Sequence, residues 1–399
     1  MKKNEMRIIF LNQASGLLFR ELAEGLAESV GGQCILYAGS NKSNEIEDSP
    51  GLKVIRAPQY RRGSYISRIL DWFRYFFYVS YYILNQPSNA LIFIVSNPPF
   101  LPLVGYLMKK LRGQPYVVLI YDIYPDLAIY LGKMSRKGLL AFIWRWFNKI
   151  IWQNSEAVFT IGDDMAIKLE SRFNANHTRL GHIAVIPNWV DHNFIKPLPK
   201  EKNWFAQQYG QVDKFTVLYS GNLGATHDFE TIVAAAKELC YFNKIQFLII
   251  GDGYKRVYIE KFIDREKLSN ILLLSFQPEN MLPYSLTTGD VAIITLSKGV
   301  EGLSVPSKVY YAMASGAALL CICSGNNELK TIIEKHQCGI LVKPGDVKGL
   351  VSAIKRFYED STFLKSCKSN ARKAVKIYYT KKNIEKYRKI LVDELNLLS

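Results

Sequence analysis

The chain has 399 residues, 49% of them apolar and 22% charged, with 26 Gly and 15 Pro, which suffices for two ordinary domains and excludes disorder, collagen and coiled coil. Six Cys and five His are too sparse and scattered for a disulfide scaffold or a zinc cluster. The 51 basic and 35 acidic side chains leave a net charge of +16, which calls for an anionic partner.

The start, Met-Lys-Lys-Asn-Glu-Met-Arg, leads into only a short apolar run, Ile8 to Leu11. No secretory leader is read there, and a cytoplasmic location is expected. Short β-branched runs predict strands over residues 7–12 and 34–38, with a helix over Phe19–Ser29 between them. The turn Asn12-Gln13-Ala14-Ser15-Gly16 follows the first strand. Residues 52–121 then hold nine basic side chains against the single acid Asp71. Within that stretch, Tyr65–Leu84 has Ile66, Ile69, Leu70, Phe73, Phe76, Phe77 and Ile83 at helical spacing, with Ser67, Arg68, Asp71 and Arg74 on the other side. Such a helix either lies on an anionic membrane or packs its apolar face on its own domain. In the first case Arg61, Arg62, Arg68, Trp72, Phe73, Arg74, Phe76 and Phe77 face the lipid. Residues 75–108 carry no charge, but Asn85–Asn89 and Asn97-Pro98-Pro99 break the run short of the ~20 apolar residues a spanning helix needs. The chain is expected to lie on a membrane, peripherally at its cytoplasmic face, and not to cross it.

Further strands are predicted over 90–96, 116–121, 157–161 and 183–187, with a helix over Leu139–Trp152. The loop Tyr121-Asp122-Ile123-Tyr124-Pro125-Asp126 places two carboxylates after a strand. One of them can orient or deprotonate an attacking hydroxyl, while helix capping and turn formation account for the same residues.

The pattern restarts after Pro187-Asn188-Trp189-Val190-Asp191, with strands predicted over 216–220, 246–250, 271–275, 291–295, 318–323 and 339–342. Cys321 and Cys323 fall inside one of these apolar runs and read as buried thiols. Helices are predicted over Phe229–Tyr241 and Lys308–Ala314. Continuous apolar strands alternating with helices imply parallel sheets covered on both faces, and twelve strands are many for one open sheet. The expectation is an α/β chain of two doubly wound, Rossmann-like domains over 1–187 and 188–379, with a C-terminal helix over about 380–399 packing back on the first. Ligands of such folds sit beyond the carboxyl ends of the strands, and a cleft shared by two facing domains is the expected active site.

Three loops of the second half fit that expectation. In Tyr219-Ser220-Gly221-Asn222-Leu223-Gly224-Ala225-Thr226-His227-Asp228, Gly221 and Gly224 let backbone N–H groups approach an anion ahead of a helix N-terminus. Gly251-Asp252-Gly253-Tyr254-Lys255-Arg256 lacks the third Gly of a dinucleotide fingerprint, and Lys255 either reaches a phosphate or stands in solvent. In the segment from Glu301 to Gly316, Glu301 can accept from sugar hydroxyls, while Ser307, Lys308 and free N–H groups can hold a diphosphate. Residues 361–399 add a second local charge excess of +7.

Taken in order, Val95-Ser96-Asn97-Pro98-Pro99, the 121–126 loop, Ile186–Asp191, Tyr219–Gly224, Gly251–Gly253, Gln277-Pro278 and Val305-Pro306-Ser307-Lys308 through Met313-Ala314-Ser315-Gly316 resemble the retaining nucleotide-sugar glycosyltransferases of family 4, with the GT-B fold. The resemblance covers essentially the whole chain, most closely to bacterial enzymes of O-antigen, capsule and exopolysaccharide assembly. It implies a nucleotide-sugar donor, UDP favoured, on the second domain at Gly221, Asn222, Leu223, Gly224, His227, Gly251, Asp252, Gly253, Lys255, Gln277, Pro306, Ser307 and Tyr311. It implies a lipid-diphosphate-linked saccharide acceptor on the first, at Asn12, Ser15, Gly16, Asn97, Tyr124 and Asp126. Lys308, Glu301 and Asp122 are then the expected catalytic groups, with neither metal nor cofactor. The two glutamates common in the family fall on Leu303 and Tyr311, its glycine-loop Arg and Lys are absent, with Asn222 and His227 standing nearby, and its first-domain His falls on Tyr121. A nucleotide-sugar epimerase of the same shape, or a non-catalytic member of a polysaccharide assembly complex, are the alternatives; no nucleic-acid recognition module is read.

Overall fold

The computed structural model describes residues 6–39, 48–59, 65–172 and 182–398. Arg61 and Arg62 lie outside these. The chain divides into two compact units, Met1–Pro187 with Lys381–Ser399, and Asn188–Thr380.

Unit 1 is built on a seven-stranded, all-parallel sheet: β1 (Met6–Asn12), β2 (Gln33–Gly39), β3 (Leu52–Ala57), β4 (Leu91–Val95), β5 (Tyr116–Ile120), β6 (Ala157–Thr160) and β7 (His182–Val185), in the order β3-β2-β1-β4-β5-β6-β7. The connecting helices are α1 (Leu17–Val30), α2 (Tyr65–Leu84), α3 (Pro102–Arg112), α4 (Asp126–Tyr130), α5 (Leu139–Asn154) and α6 (Asp163–Glu170). β1, β4 and β5 are apolar and buried nearly throughout because helices cover both sheet faces. β3 is a strand the sequence pattern missed. Among the described strands it pairs with β2 alone, from Cys34 opposite Leu52 to Gly39 opposite Ala57, and carries Lys53 and Arg56 as an edge strand does.

Residues 381–398 complete the core of this unit. Tyr387 is buried against Phe159 and Phe93, at ring separations of 4.8 and 6.1 Å. Gly25 lets α1 come close, since a Cβ there would lie 3.0 Å from Ile384. Lys381 pairs with Glu21 at 2.8 Å.

Helix α2 forms as expected but buries another face. Asp71, Tyr75, Val79 and Ile83 point inward, whereas Leu70, Phe73, Arg74 and Phe77 are exposed and Trp72 and Phe76 half-buried. Asp71, expected on the solvated side, is 2% exposed, and its backbone carbonyl accepts from Gln13 Nε2 at 2.9 Å. Tyr75 Oη donates to the Tyr37 carbonyl at 2.6 Å, which anchors this face to β2. Among the described residues no helix is long and apolar enough to cross a membrane.

Unit 2 holds a six-stranded parallel sheet of β8 (Phe215–Ser220), β9 (Ile245–Ile250), β10 (Ile271–Leu274), β11 (Val291–Thr295), β12 (Ala318–Ile322) and β13 (Gly339–Val342), ordered β10-β9-β8-β11-β12-β13. Its helices are α7 (Trp204–Gln208), α8 (Phe229–Glu238), α9 (Arg256–Glu266), α10 (Leu282–Thr287), α11 (Lys308–Ser315), α12 (Glu328–His336), α13 (Val347–Glu359) and α14 (Ser361–Tyr378). In each sheet the winding direction reverses between two adjacent strands, β1 and β4 in one, β8 and β11 in the other. The crevice past the carboxyl ends at such a reversal is where a doubly wound sheet holds its ligand. In unit 2 that crevice is flanked by the loop after β8 and the start of α11.

Candidate functional site

The β8 and β9 loops are locked together by glycines. Gly221, Gly251 and Gly253 have φ of 140°, 155° and 146°. A Cβ on Gly251 would come 1.9 Å from the Gly221 carbonyl oxygen, and one on Gly253 would meet Asn222 Oδ1 at 2.7 Å and the Leu223 carbonyl at 2.8 Å. Two backbone bonds tie the loops, Leu223 N–H to Asp252 O and Lys255 N–H to Leu223 O, both 2.8 Å. These glycines serve the close approach of two backbones, and the tie leaves Gly221 and Asn222 at the rim of a cavity of about 480 Å³.

Gln277, Ser307, Lys308 and Tyr311 line the same cavity, over a floor that includes Leu218, Ile250 and Ile293. It also takes in Ser220, Phe276 and Glu279, which sequence reasoning missed; Phe276 is 42% exposed beside the opening. Only the position just before Gln277-Pro278, past the end of β10, marks Phe276 in the sequence.

Lys308 opens α11. Its Nζ donates to Tyr219 Oη at 2.6 Å, lies 4.3 Å from the centre of that ring, and stands 3.3 Å from His227 Nε2. A Cβ on Gly221 would sit 3.3 Å from the same nitrogen. No carboxylate pairs with Lys308 among the described residues, and desolvation pulls its pKa down to about 7. His227, 9% exposed, is pushed down to about 3, by burial first and then by Lys308, with the Gly224 backbone hydrogen bond opposing. It is therefore neutral near pH 7. With Nε2 accepting from Lys308, its proton sits on Nδ1, buried beside Gly224. The cluster is cationic or neutral throughout and has no acid of its own.

Several expected donor residues point elsewhere. Lys255 is committed: its ammonium donates to the His227 carbonyl at 2.7 Å and to both oxygens of Glu230 at 2.8 and 2.7 Å. Leu223 belongs to the core, Asp252 accepts from the N–H of Gly253 at 2.8 Å, and the Pro306 carbonyl accepts from Val309 N–H at 3.1 Å. Glu301 does not line the cavity. It accepts from the Gly299 N–H at 2.6 Å and from the Ser324 hydroxyl, and so fastens its loop to the end of β12.

In unit 1, Asp122 follows β5, and burial pushes its pKa up to about 6. Asp126, expected beside an acceptor, is held instead by Arg145 at 3.3 Å and by Arg172. Tyr124 stacks on Trp144, 12° from parallel, and its carbonyl accepts from Asn148 Nδ2 at 2.8 Å. Asn12 is buried, its Oδ1 accepting from Ala14 N–H at 3.1 Å, and Ser15 is nearly so. Gly16 stands at the N-terminus of α1 with open space where a side chain would be. Asn97 is half-buried after β4. Among the described residues no cluster of three or more His, Cys, Asp or Glu is placed to hold a metal ion.

Residues 200–374 match the family described as glycosyl transferases group 1, and residues 16–189 the glycosyl transferase 4-like domain. The chain carries both glycosyltransferase domains. Its fold is GT-B: it superposes on sucrose-phosphate synthase from Thermosynechococcus elongatus with a TM-score of 0.77 at 18% identity, over 99% of this chain and 100% of that one. Anabaena HepE, solved with UDP and glucose, gives 0.73 at 16% over 98% and 100%, and WaaG, a glycosyltransferase involved in lipopolysaccharide biosynthesis, 0.70 at 14% over 96% and 99%. In sequence the chain is 25% identical over 264 residues to a probable glycosyltransferase, WbjE, of Pseudomonas aeruginosa, covering 66% of this chain. It is 26% identical over 255 residues to a putative colanic acid biosynthesis glycosyl transferase, WcaI, of Escherichia coli K12, covering 63%. The matched segment spans 65% and 61% of those two relatives.

Proposed function

We propose that this protein transfers a sugar from a nucleotide-diphosphate donor, UDP favoured, to a lipid-diphosphate-linked saccharide in the synthesis of a surface polysaccharide, working peripherally on the cytoplasmic membrane face. The observation that carries the reading is Lys308, an ammonium with only neutral partners, at the edge of a roughly 480 Å³ cavity rimmed by Gly221, Asn222 and Ser307. Holding a cation desolvated with no counterion is costly, and an incoming diphosphate relieves that cost. The relatives named for polysaccharide and lipopolysaccharide biosynthesis support the pathway class, and the neighbour solved with UDP supports the donor class.

The reaction then runs by charge stabilisation. As the bond from the anomeric carbon to the diphosphate oxygen breaks, negative charge grows on the leaving group, against Lys308 and the loop N–H groups. The acceptor hydroxyl attacks the oxocarbenium-like centre from the face the diphosphate leaves, so configuration is retained, and its proton passes to the departing phosphate oxygen. Asp122 orients the acceptor hydroxyl. No metal is required, because the cationic cluster does the neutralising.

The test is a donor screen followed by transfer. UDP-, GDP-, ADP- and TDP-sugars are compared by thermal shift, where a ligand at 100 times its Kd adds roughly 2.7 kcal/mol. The stabilising donor is then incubated with polyprenyl-diphosphate saccharides in vesicles. A shifted donor and an α-configured product from an α-configured donor support the reading. Absence of any shift with all four sugars overturns it, and donor consumed without acceptor points to the epimerase.

A further inference from the structure

We propose that the groove between α2 and α5 in unit 1 seats the hydrocarbon chain of the lipid-diphosphate acceptor. The inference rests on the acceptor class proposed above and deepens it by naming where the lipid goes.

Helix α5 has an unusual surface for a helix of a sheet-and-helix unit. It buries Ala141, Asn148, Ile151 and Trp152, and turns Leu140, Phe142 and Trp146 outward at 63%, 66% and 52% exposure. Across from it, α2 leaves Phe73 and Phe77 outward at 46% and 66%. Phe73 and Phe76 pack on Phe100 at ring separations of 5.1 and 5.8 Å. Together with Ile143, Phe147 and Ile151 these rings enclose a groove of about 430 Å³ whose lining is almost wholly apolar. Single exposed apolar residues need no explanation, but a continuous apolar groove flanked by exposed aromatics marks a binding surface.

Charge selects the occupant. Helix α5 contains Lys149, no acid, and Arg145, which is paired with Asp126; the turn ahead of it holds Lys133, Arg136 and Lys137, and the lone acid of α2, Asp71, is buried. An apolar slot in a cationic surround suits a chain that ends in an anionic headgroup. The groove also leads to the acceptor loop. Trp144 and Asn148, both in its wall, stack on the Tyr124 ring and bind the Tyr124 carbonyl at 2.8 Å, two residues from Asp122. A chain lying against Phe147 and Ile143 therefore runs beside Trp144 and Asn148, with the first sugars carried toward the 121–126 loop.

The test uses one saccharide on two diphosphate carriers, a long isoprenoid and a chain of a single isoprene unit, with the full-length protein and phosphatidylglycerol vesicles. Each buried methylene adds about 0.8 kcal/mol, or roughly fourfold in affinity, so the long carrier should have a KM at least tenfold lower. The groove-filling variant Ile143→Trp should raise the long-carrier KM tenfold or more while keeping the donor's thermal shift, which shows that the protein is folded. Phe147→Ser is the second variant, expected to do the same without adding bulk. A photoactivatable isoprenyl diphosphate should label α2 or α5 in the wild type and not in Ile143→Trp. Equal KM values for the two carriers, or labelling elsewhere, overturn the groove while leaving the transfer reading intact. Labelling of α2 or α5 in a protein that transfers nothing sustains the groove and sinks the transfer reading. A wild type that runs as two copies by light scattering and as one in Ile143→Trp makes the groove a contact between copies and overturns the proposal.

Discussion

Replacing Lys308 with Met keeps most of the stem and deletes the ammonium, which isolates the charge on which the proposed chemistry depends. In the free protein the ammonium titrates at about 7, so at pH 8 only about a tenth of it is charged. One opposite charge placed at about 4 Å, at an effective dielectric of about 20, favours the charged form by ~4 kcal/mol. That is enough to return the group to about 10. Binding UDP at pH 8 must therefore take up close to one proton, and at pH 6 almost none, because the site is already charged there. Titration calorimetry at pH 8 in two buffers of different ionisation enthalpy reads the uptake directly. The Met variant should lose the uptake and lose roughly 10²–10³-fold in turnover, as removal of one charge-stabilising donor does elsewhere. A wild type that binds UDP at pH 8 with no proton uptake, or a Met variant within threefold of wild-type turnover, refutes the reasoning.

Asp122 titrates at about 6 and must be ionised to orient a hydroxyl, so kcat/KM should fall below pH 6; Asp122→Asn should abolish that limb and lower the rate about 10²-fold, as a pH–rate series will show. Tyr219→Phe removes the 2.6 Å partner of Lys308 and should move the basic limb of the same profile while leaving the acidic limb in place. Gly251→Ala forces a Cβ against the Gly221 carbonyl at a φ of 155° and should cost about 3 kcal/mol, a fall in Tm of roughly 6–12 °C by calorimetry. Lys200 is buried against Asp290, with further bonds to Lys214 O at 2.7 Å and Thr216 Oγ1 at 2.9 Å; Asp290→Ala strands that ammonium and should lower stability by about 3–5 kcal/mol in urea titration.

Twelve of the thirteen strands stand out in the sequence because parallel strands covered on both faces must be apolar throughout, and runs such as Leu91–Val95 and Val291–Thr295 have no other economical reading. β3 escaped for the complementary reason: with one neighbour, Leu52–Ala57 tolerates Lys53 and Arg56, and its composition resembles a loop. Helix α2 shows what periodicity alone leaves undecided. Two faces of Tyr65–Leu84 are apolar, and the one that packs, Tyr75-Val79-Ile83, is set by the Tyr75 hydroxyl reaching the Tyr37 carbonyl, a contact 38 residues away in the chain. The outward aromatic face is left for another partner. Helix α5 was expected over Leu139–Trp152, but Leu139–Asn154 has the composition of a core helix and only the fold reveals how much of it is exposed.

The same logic sorts the candidate site. Glycines at 221, 251 and 253 were legible because backbone geometry at those turns admits little else. Charged residues were less so, because residue type states what a side chain can bind and not what it has already bound. Lys255, Asp126 and Glu301 each had the right chemistry at the right loop, and each is used up: by Glu230, by Arg145 with Arg172, and by Gly299 with Ser324. Lys308 differs in having no carboxylate partner among the described residues, and its pKa, like that of Asp122, is drawn toward neutrality by burial alone. An ionisable group that the fold desolvates and leaves without a counter-charge is destabilising in the free protein. A fold keeps such a group where a ligand supplies the missing charge, so Lys308 marks the cavity of unit 2 more sharply than any of the motifs around it.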